Sequence, residues 1–421
     1  MVCATVMLFV AAGIFLLTFP DASSLLIGNL APVSEKIQLD PSADIDPQKP
    51  LAIPPHPIKA IYLTSWSAGS SNTVDRAISL IGATELNAVV IDIKDYTGMV
   101  SYRPDVAQVL EYGSFENRIK RINAMIKLFH DSGIYVIGRI AVFQDPQLVR
   151  ARPEFALRSK KTGRPWGDAK GITWLDAAAP AVWDYNLEIA KDVLARGFDE
   201  VNFDYIRFPT DGDLGDVQYA FYNPATEQKH QVIQDFLKHA RQELPSAKIS
   251  IDIFGETTFI DQDSGIGQKF EDGFLYVDAV SPMIYPSHFG KGFIGFANPA
   301  AYPYEVVKYV TDKSFAKMKA LTNAILKEPV NSTSTMPAAP PAIAELRPWL
   351  QDFDLGVDYD AVKVRAQITA LNDSARAAAG CPSSIKNQQE KLQLAPCPQG
   401  EIGWMLWSAA NSYTRAALAP Q

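Results

Sequence analysis

Short apolar runs alternate with amphipathic stretches along the chain from Ile58 onward. The apolar runs have the length of buried strands, whereas the stretches between them carry apolar residues at helical spacing. The predicted strands are Ile58–Thr64, Ala88–Lys94, Tyr135–Phe143, Glu200–Phe208, Lys248–Phe254, Asp278–Tyr285, Trp349–Phe353 and Ile402–Trp407. The predicted helices are Val74–Ile81, Arg118–Asp131, Ala181–Arg196, Glu227–Glu243, Tyr304–Leu326 and Tyr359–Ala379. This alternation predicts an α/β fold with a parallel sheet.

Eight such strands are the number that closes a (β/α)8 TIM barrel, which we predict over residues 58–421. Gly133 and Gly197 stand between a predicted helix and the next strand, where a helix-ending glycine belongs. A doubly wound open sheet is the alternative, but no glycine-rich phosphate loop follows any predicted strand, which counts against its nucleotide-binding form. The segment 329–342 is rich in Pro, Ala, Ser and Thr and is predicted to be a flexible insertion.

The N-terminal region predicts export. Val2 to Phe19 is almost wholly apolar and uncharged, so residues 1–20 are interpreted as a signal peptide or a membrane anchor. Residues 21–57 contain several prolines and no clear period, which predicts an extended linker. Either interpretation places the rest of the protein outside the cytoplasm, anchored or secreted, with membrane contact only through the N-terminal segment.

Charge and cysteine content narrow the possible functions. The formal net charge of -8 and the absence of a long basic run argue against a nucleic-acid partner. Cys381 and Cys397 each precede a proline in one polar loop, and in an exported protein they are predicted to form a disulfide; two unrelated thiols are the alternative. The five histidines show no ligand spacing at strand ends, so we expect neither a metal nor a cofactor.

The ends of the predicted strands are unusually polar. In such barrels the functional site forms where the strands end. Alternation along a strand places Asp92 with Lys94, Asn202 with Asp204, and Ser250 with Asp252 on common faces. The third strand contains Arg139, the fourth is followed by Tyr205 and Arg207, the fifth by Glu256, and the sixth by Tyr285 and His288.

An aspartate within an apolar strand is informative because an unpaired buried charge is costly. Asp92, Asp204 and Asp252 each interrupt a run of Ile, Val or Phe. One interpretation is a structural network with Lys94, Arg139 and Arg207. The other is catalytic: neighbouring cations keep one carboxyl ionised while a drier one stays protonated, the combination that glycosidic bond cleavage requires.

Three segments in order, Val90–Asp95, Gly197–Pro209 and Ser281–Phe289, resemble motifs of a bacterial family named "putative glycoside hydrolase domain". The resemblance covers nearly everything from Ile58 to Tyr413 and implies a (β/α)8 barrel of the amylase-like glycosidase group. It also implies that Asp204 matches the position of the nucleophile. The acid/base would then come from the fifth strand, where Asp252 and Glu256 compete.

These observations predict a glycoside hydrolase that cleaves an extracellular or cell-envelope polysaccharide with a pair of carboxylates. Sugar rings are expected to stack on Trp66, Tyr205, Tyr285 and Trp407. The remaining predicted substrate-binding residues are Asp92, Lys94, Arg139, Asn202, Arg207 and His288. The first alternative is a non-catalytic carbohydrate-binding barrel at the cell surface. The second is a metal-dependent hydrolase such as a polysaccharide deacetylase, which the histidine spacing disfavours.

Overall fold

The computed structural model describes residues 43–327, 343–381 and 400–421, which fall within one compact unit, Ser42–Gln421. Its central strands are β1 (Lys59–Leu63), β2 (Ala88–Lys94), β3 (Tyr135–Ala141), β4 (Glu200–Asp204), β5 (Ile249–Phe254), β6 (Ala279–Ile284), β7 (Trp349–Gln351) and β8 (Trp404–Trp407). All pair in parallel, each with the next in the chain, and β8 pairs with β1. The eight-stranded parallel barrel predicted from the alternation is therefore confirmed.

Helices cover the outside of the barrel. The long ones in the described ranges are α1 (Ser71–Gly82), α2 (Ile122–Asp131), α3 (Pro180–Ala195), α4 (Lys229–Glu243), α5 (Pro303–Lys327) and α6 (Ala361–Ala378). Shorter helices span Ser65–Ala68, Ala107–Glu111, Pro146–Ala151 and Phe270–Gly273, and short strands lie at Arg158–Ser159, Val217–Gln218 and Glu345–Leu346. Gly133 and Gly197 follow α2 and α3 with φ of 69° and 103°, as predicted for helix-ending glycines.

Strand alternation divides the apolar residues between two cores. One set packs between the strands and the helices, as Val89, Ile91 and Ile93 of β2 do. The other fills the barrel interior and consists of Ile58, Ala60, Tyr62, Ala88, Val90, Tyr135, Ile137, Tyr285, Trp349 and Met405. The interior is therefore packed below the mouth, and the polar positions of the strands emerge above it at their C-terminal ends.

Residues 44–51, within the predicted linker, are bound to the barrel. Asp44 accepts hydrogen bonds from the backbone N–H groups of Asn123 and Ala124, at 2.8 and 3.0 Å. The N–H of Leu51 donates to Asp199 at 2.6 Å. The start of α2 and the turn before β4 thus hold this stretch against the domain.

Several sequence predictions fall elsewhere in the chain. The signal peptide or anchor at residues 1–20 and the insertion at 329–342 lie outside the described residues, as does Cys397. Cys381 is disulfide-bonded, and its pairing with Cys397 stays a prediction. In the ranges 43–327, 343–381 and 400–421, every helix is too short or too polar to traverse a lipid bilayer.

Candidate active site

The polar residues of four neighbouring strands converge inside the C-terminal end of the barrel. In the parallel register Asp92 of β2 is level with Arg139 of β3, which is level with Asn202 of β4. Asp204 ends β4, and Asp252 lies in β5. Residues level with one another on neighbouring strands point to the same side of the sheet, so these side chains meet in the barrel mouth.

Arg139 is the centre of this group. Its Nη1 lies 2.5 Å from Asp92 Oδ1, its Nη2 forms an ion pair with Asp204 Oδ2, and its Nε lies 3.6 Å from Asp252 Oδ2. The hydroxyl of Tyr62 donates to the second oxygen of Asp92 at 2.5 Å. All of these side chains are buried, so water does little to screen their charges. One guanidinium therefore serves three carboxyl groups.

Among the three carboxyl groups, Asp252 has the most clearly raised pKa. Burial, and after it the negative charge of Asp204, raises the pKa of Asp252 to about 7. Burial also raises the pKa of Asp92, although Arg139 and the Tyr62 hydroxyl oppose the shift. At neutral pH the group can therefore hold a proton on Asp252 beside a second carboxyl, Asp204, that is paired with a cation.

The hydrogen bonds to Asp252 define which oxygen carries that proton. Its Oδ1 accepts from the Asn202 amide at 3.0 Å and from the Trp349 indole N–H at 2.7 Å. An oxygen that accepts two donors is the poorer place for a proton. The proton of the neutral acid is therefore assigned to Oδ2, the oxygen on the side of Arg139.

Asp204 occupies a sharp end of its strand. Its Oδ1 accepts a hydrogen bond from the N–H of Tyr205, at 2.5 Å, and Tyr205 adopts a φ of 53°. A positive φ is uncommon for a non-glycine residue and turns the chain abruptly out of the strand. The predicted position of Asp204 at the barrel mouth is confirmed.

The cation that forms the ion pair with Asp204 is Arg139, one of the three that the sequence offered. Arg207 is near enough for its charge to interact with that of Asp204. The guanidinium of Arg207 lies over the rings of Trp174, Tyr205 and Phe254, at 4.7 to 5.4 Å from their centres. The chain turn at Tyr205 carries the side chain of Arg207 to this aromatic cluster.

Lys94 also departs from expectation. Its ammonium is fully buried and lies 2.8 Å from both Asp145 Oδ2 and Asn186 Oδ1, and 2.7 Å from the Ala141 carbonyl. The pairing of β2 with β3 shifts between Asp92 and Lys94, so the two do not share a face as period-2 alternation predicts. Lys94 therefore stabilises the strand-to-loop junction and does not contact the aspartate group.

A cavity of about 770 Å³ opens beside Arg139 and its aspartates, at the ends of β4, β5 and β6. Glu256 is exposed on its wall, whereas Asp252 is 1% exposed. Burial lowers the pKa of His288, which favours the neutral imidazole. The lining residues are Pro209, Thr210, Leu214, Phe254, Gly255, Glu256, Ser264, Gly265, Ile266, Met283, Tyr285, His288 and Phe289. The two fifth-strand candidates thus occupy different environments, Asp252 beneath the mouth and Glu256 on the cavity wall.

The four aromatic residues expected to bind sugar occupy different environments, and Tyr285, which is 4% exposed, belongs to the packed interior of the barrel. Trp407 stacks on Tyr62 with ring centres 3.9 Å apart and lies 5.2 Å from the Arg139 guanidinium. Tyr285 lines the cavity, and Tyr205 packs against Trp174. Trp66 is 62% exposed and rests on Arg118.

Sequence reasoning missed two residues that contact the carboxyl groups. Trp349 binds Asp252, and Tyr62 binds Asp92. Both point into the barrel from β7 and β1, strands that the sequence did predict. Alternation from their neighbours would have placed both on the inner face, but the contact depends on the closure of the barrel.

In the described ranges, no group of three or more His, Cys, Asp or Glu side chains is arranged to hold a metal ion.

Comparison with known proteins gives one family. The family model described as "Putative glycosyl hydrolase domain" matches residues 60–378. A search of curated proteins found no match.

Two solved structures resemble this chain over most of their own length. A hypothetical protein from Ruminiclostridium thermocellum is 39% identical, over 46% of this chain and 96% of that one, with a TM-score of 0.43. The glycoside hydrolase domain of PgaB (BpsB) from Bordetella bronchiseptica is 14% identical, over 86% of this chain and 99% of that one, with a TM-score of 0.52. The second likeness is one of fold.

Proposed function

The chain belongs to the "Putative glycosyl hydrolase domain" family, and from that premise we propose that it hydrolyses a glycosidic bond of a polysaccharide or oligosaccharide. Asp252 is the proton donor, and Asp204 is the nucleophile or charge stabiliser. The observation that carries this proposal is the shared guanidinium of Arg139, which forms an ion pair with Asp204 and lies 3.6 Å from Asp252, a buried carboxyl whose pKa is raised. Glycoside cleavage uses such a pair.

The roles follow from the charges. Asp252 transfers its proton to the glycosidic oxygen as the bond from that oxygen to the anomeric carbon breaks. Asp204 either attacks the anomeric carbon or stabilises the positive charge that develops there. A water molecule then supplies the hydroxyl of the new reducing end and returns a proton to Asp252. Arg139 stabilises the negative charge of Asp204 and fixes its position through the ion pair.

Glu256 remains the competing proton donor, and its position supports a different role. It lies on the exposed wall of the cavity, away from the contacts of Arg139. The cavity lining is mostly apolar, with a few polar groups, which is the usual character of a small-molecule site. We assign this cavity to sugar binding, with Tyr285 and His288 on its wall.

One observation favours the second candidate function, a carbohydrate-binding barrel without catalysis. Asp92, Asp204 and Asp252 are all buried, and each contacts Arg139, as in a network that serves only stability. The two functions differ in their prediction for Asp204→Asn. A catalytic role requires that this variant lose turnover, whereas a binding barrel has no turnover to lose.

We also propose that the protein acts outside the cytoplasm, on a cell-envelope or extracellular glycan. The uncharged apolar run from Val2 to Phe19 supports this location. Fractionation of cells that express the full chain provides the test. Recovery of the intact protein from the soluble cytoplasmic fraction would contradict it.

The test of function is a screen of the purified protein on envelope and extracellular polysaccharides, with release of reducing ends as the readout. The parent protein should cleave at least one, and Asp204→Asn and Asp252→Asn should not. Binding of the same polysaccharide by all three proteins, measured by affinity electrophoresis, shows that the variants remain folded. Binding without cleavage by the parent would establish the binding barrel instead.

A further inference from the structure

We propose that Trp66 and the guanidinium of Arg118 beneath it form a second sugar-binding subsite, called here the rim platform, that takes a pyranose ring of an extended glycan chain. This inference rests on the proposed function, because it assumes that a glycan occupies the barrel mouth. It adds to that function a minimum length of the ligand. One glycan chain reaches from the cavity to the rim platform, past the aspartates around Arg139.

Trp66 has the exposure and the support that a stacking surface needs. It is 62% exposed, although the large side chain of tryptophan is usually well buried. The Arg118 guanidinium lies 4.8 Å from the centre of its ring. A cation over the ring holds it in place and covers part of its surface, so the exposed remainder is available for an apolar sugar face.

Arg118 is itself fixed from three directions. Its guanidinium donates to Asp95 Oδ2 at 2.6 Å and to Ser65 Oγ at 3.0 Å, and forms an ion pair with Glu116 at 2.8 Å. The Arg118 side chain is 5% exposed, which is unusual for an arginine at the surface end of a barrel. The support under Trp66 is therefore rigid before any ligand binds, which lowers the entropic cost of binding.

The rim platform lies across the mouth from the cavity. Trp66 and Asp95 follow β1 and β2, whereas the cavity lies at the ends of β4, β5 and β6. In a closed eight-stranded barrel, β1 is opposite β5. Strands about 4.8 Å apart and tilted by about 36° close into a barrel about 15 Å across. A ligand that contacts both sides must therefore be longer than a single sugar ring, and it passes Asp204 at the end of β4 on the cavity side.

The chemistry of the rim platform also selects the ligand. An indole face binds the apolar C–H surface of a pyranose, and the neighbouring carboxylates of Asp95 and Glu116 are already paired with Arg118. The site therefore recognises the shape and flat face of a sugar rather than its charge. We expect it to add affinity for long chains and to contribute nothing to the binding of a short one.

The test compares chain lengths. Binding of β-1,4-linked glucose, N-acetylglucosamine and xylose oligosaccharides of two and six units is measured by calorimetry on the Asp204→Asn protein, which cannot degrade them. Trp66→Ala in that background should weaken binding of the six-unit ligand by roughly tenfold and leave the two-unit ligand unchanged. Trp66→Phe should retain most of the affinity. Leu128→Ala, which truncates another exposed apolar residue on the outer helix α2, should change neither.

The outcomes separate this inference from the proposed function. If Trp66→Ala weakens the two ligand lengths equally, or neither, while Asp204→Asn still abolishes turnover, the rim platform is refuted and the hydrolase stands. If no glycan is bound or cleaved by any of the proteins, both proposals fail. Because Trp66 is exposed, its replacement should leave the melting temperature unchanged, which a thermal scan checks.

Discussion

The pH at which Asp252 loses its proton can be shifted by a substitution that leaves its carboxyl group in place. Trp349→Phe removes the indole N–H that donates to Asp252 Oδ1 at 2.7 Å and keeps an aromatic ring against Tyr62 and Trp407. That hydrogen bond favours the ionised carboxylate, so its loss should raise the pKa of Asp252 further above about 7. A bond to a charged group contributes about 1.5–3 kcal/mol, which corresponds to a rise of roughly one to two pH units.

The assay is the pH dependence of kcat/KM on whichever polysaccharide the parent cleaves. This parameter reports the ionisations of the free enzyme. A proton donor works only while protonated, so activity of the parent should fall as pH rises through about 7, the pKa of Asp252. In Trp349→Phe the fall should occur roughly one to two units higher. Some stability will be lost, on the order of 1–2 kcal/mol, because the smaller ring leaves space in the interior.

Glu256→Gln is the matched control. If Asp252 is the donor, this variant should keep the alkaline fall of the parent, and any change should appear in KM because Glu256 lines the cavity. The reasoning would be refuted by an alkaline fall that stays in place in Trp349→Phe and moves or disappears in Glu256→Gln. That result would make the exposed Glu256 the proton donor and Asp252 part of the structural network.

Four further predictions concern three residues of the site and the cysteines. Asp204→Asn should reduce turnover by at least about a thousandfold, or about 4 kcal/mol of transition-state stabilisation, while ligand binding and melting temperature change little. Arg139→Met should cost about 3–5 kcal/mol in urea unfolding because it leaves three buried carboxyls without their cation. Because the pKa of Asp252 is raised in the folded state, this group stabilises the fold below about pH 4, and that contribution is lost as pH rises through about 7. In Asp252→Asn the melting temperature should therefore depend less on pH over that interval. Cys381 and Cys397 should resist alkylation until reductant is added, with a corresponding mass difference; two freely alkylated thiols in the native protein would disprove the pairing.

The barrel could be predicted because its signal is periodic and local. Each central strand interrupts an amphipathic stretch with a short run of β-branched and aromatic residues, and the runs around Val90 and Val201 lie in strands as expected. The glycines at 133 and 197 marked helix ends by the same local logic. What local patterns do not report is the register between strands, and Lys94 shows the consequence. A shift in pairing after Asp92 turns the side chain of Lys94 away from the mouth.

The contacts of the candidate site were less predictable because they join side chains on different strands of the barrel. Trp349 of β7 reaches Asp252 of β5 across β6, at a separation of 97 residues. Tyr62 of β1 reaches Asp92 of β2 from the neighbouring strand. Nothing in either local sequence distinguishes these aromatic residues from ordinary interior packing. Their roles emerge only when closure brings the strands to fixed positions around one axis.

The number of cations matters more to the proposed chemistry than their identity. From the sequence, the three strand aspartates could each have had a partner in Lys94, Arg139 or Arg207, and a fully paired set would have left every carboxyl ionised at neutral pH. In the structure Lys94 pairs with Asp145, and Arg207 lies over aromatic rings, so the ion pairs of all three aspartates are made with Arg139. Three buried carboxylates around one cation repel each other, and a retained proton relieves that repulsion. Burial, and after it the charge of Asp204, which shares one guanidinium with its neighbours, is thus what allows Asp252 to remain an acid.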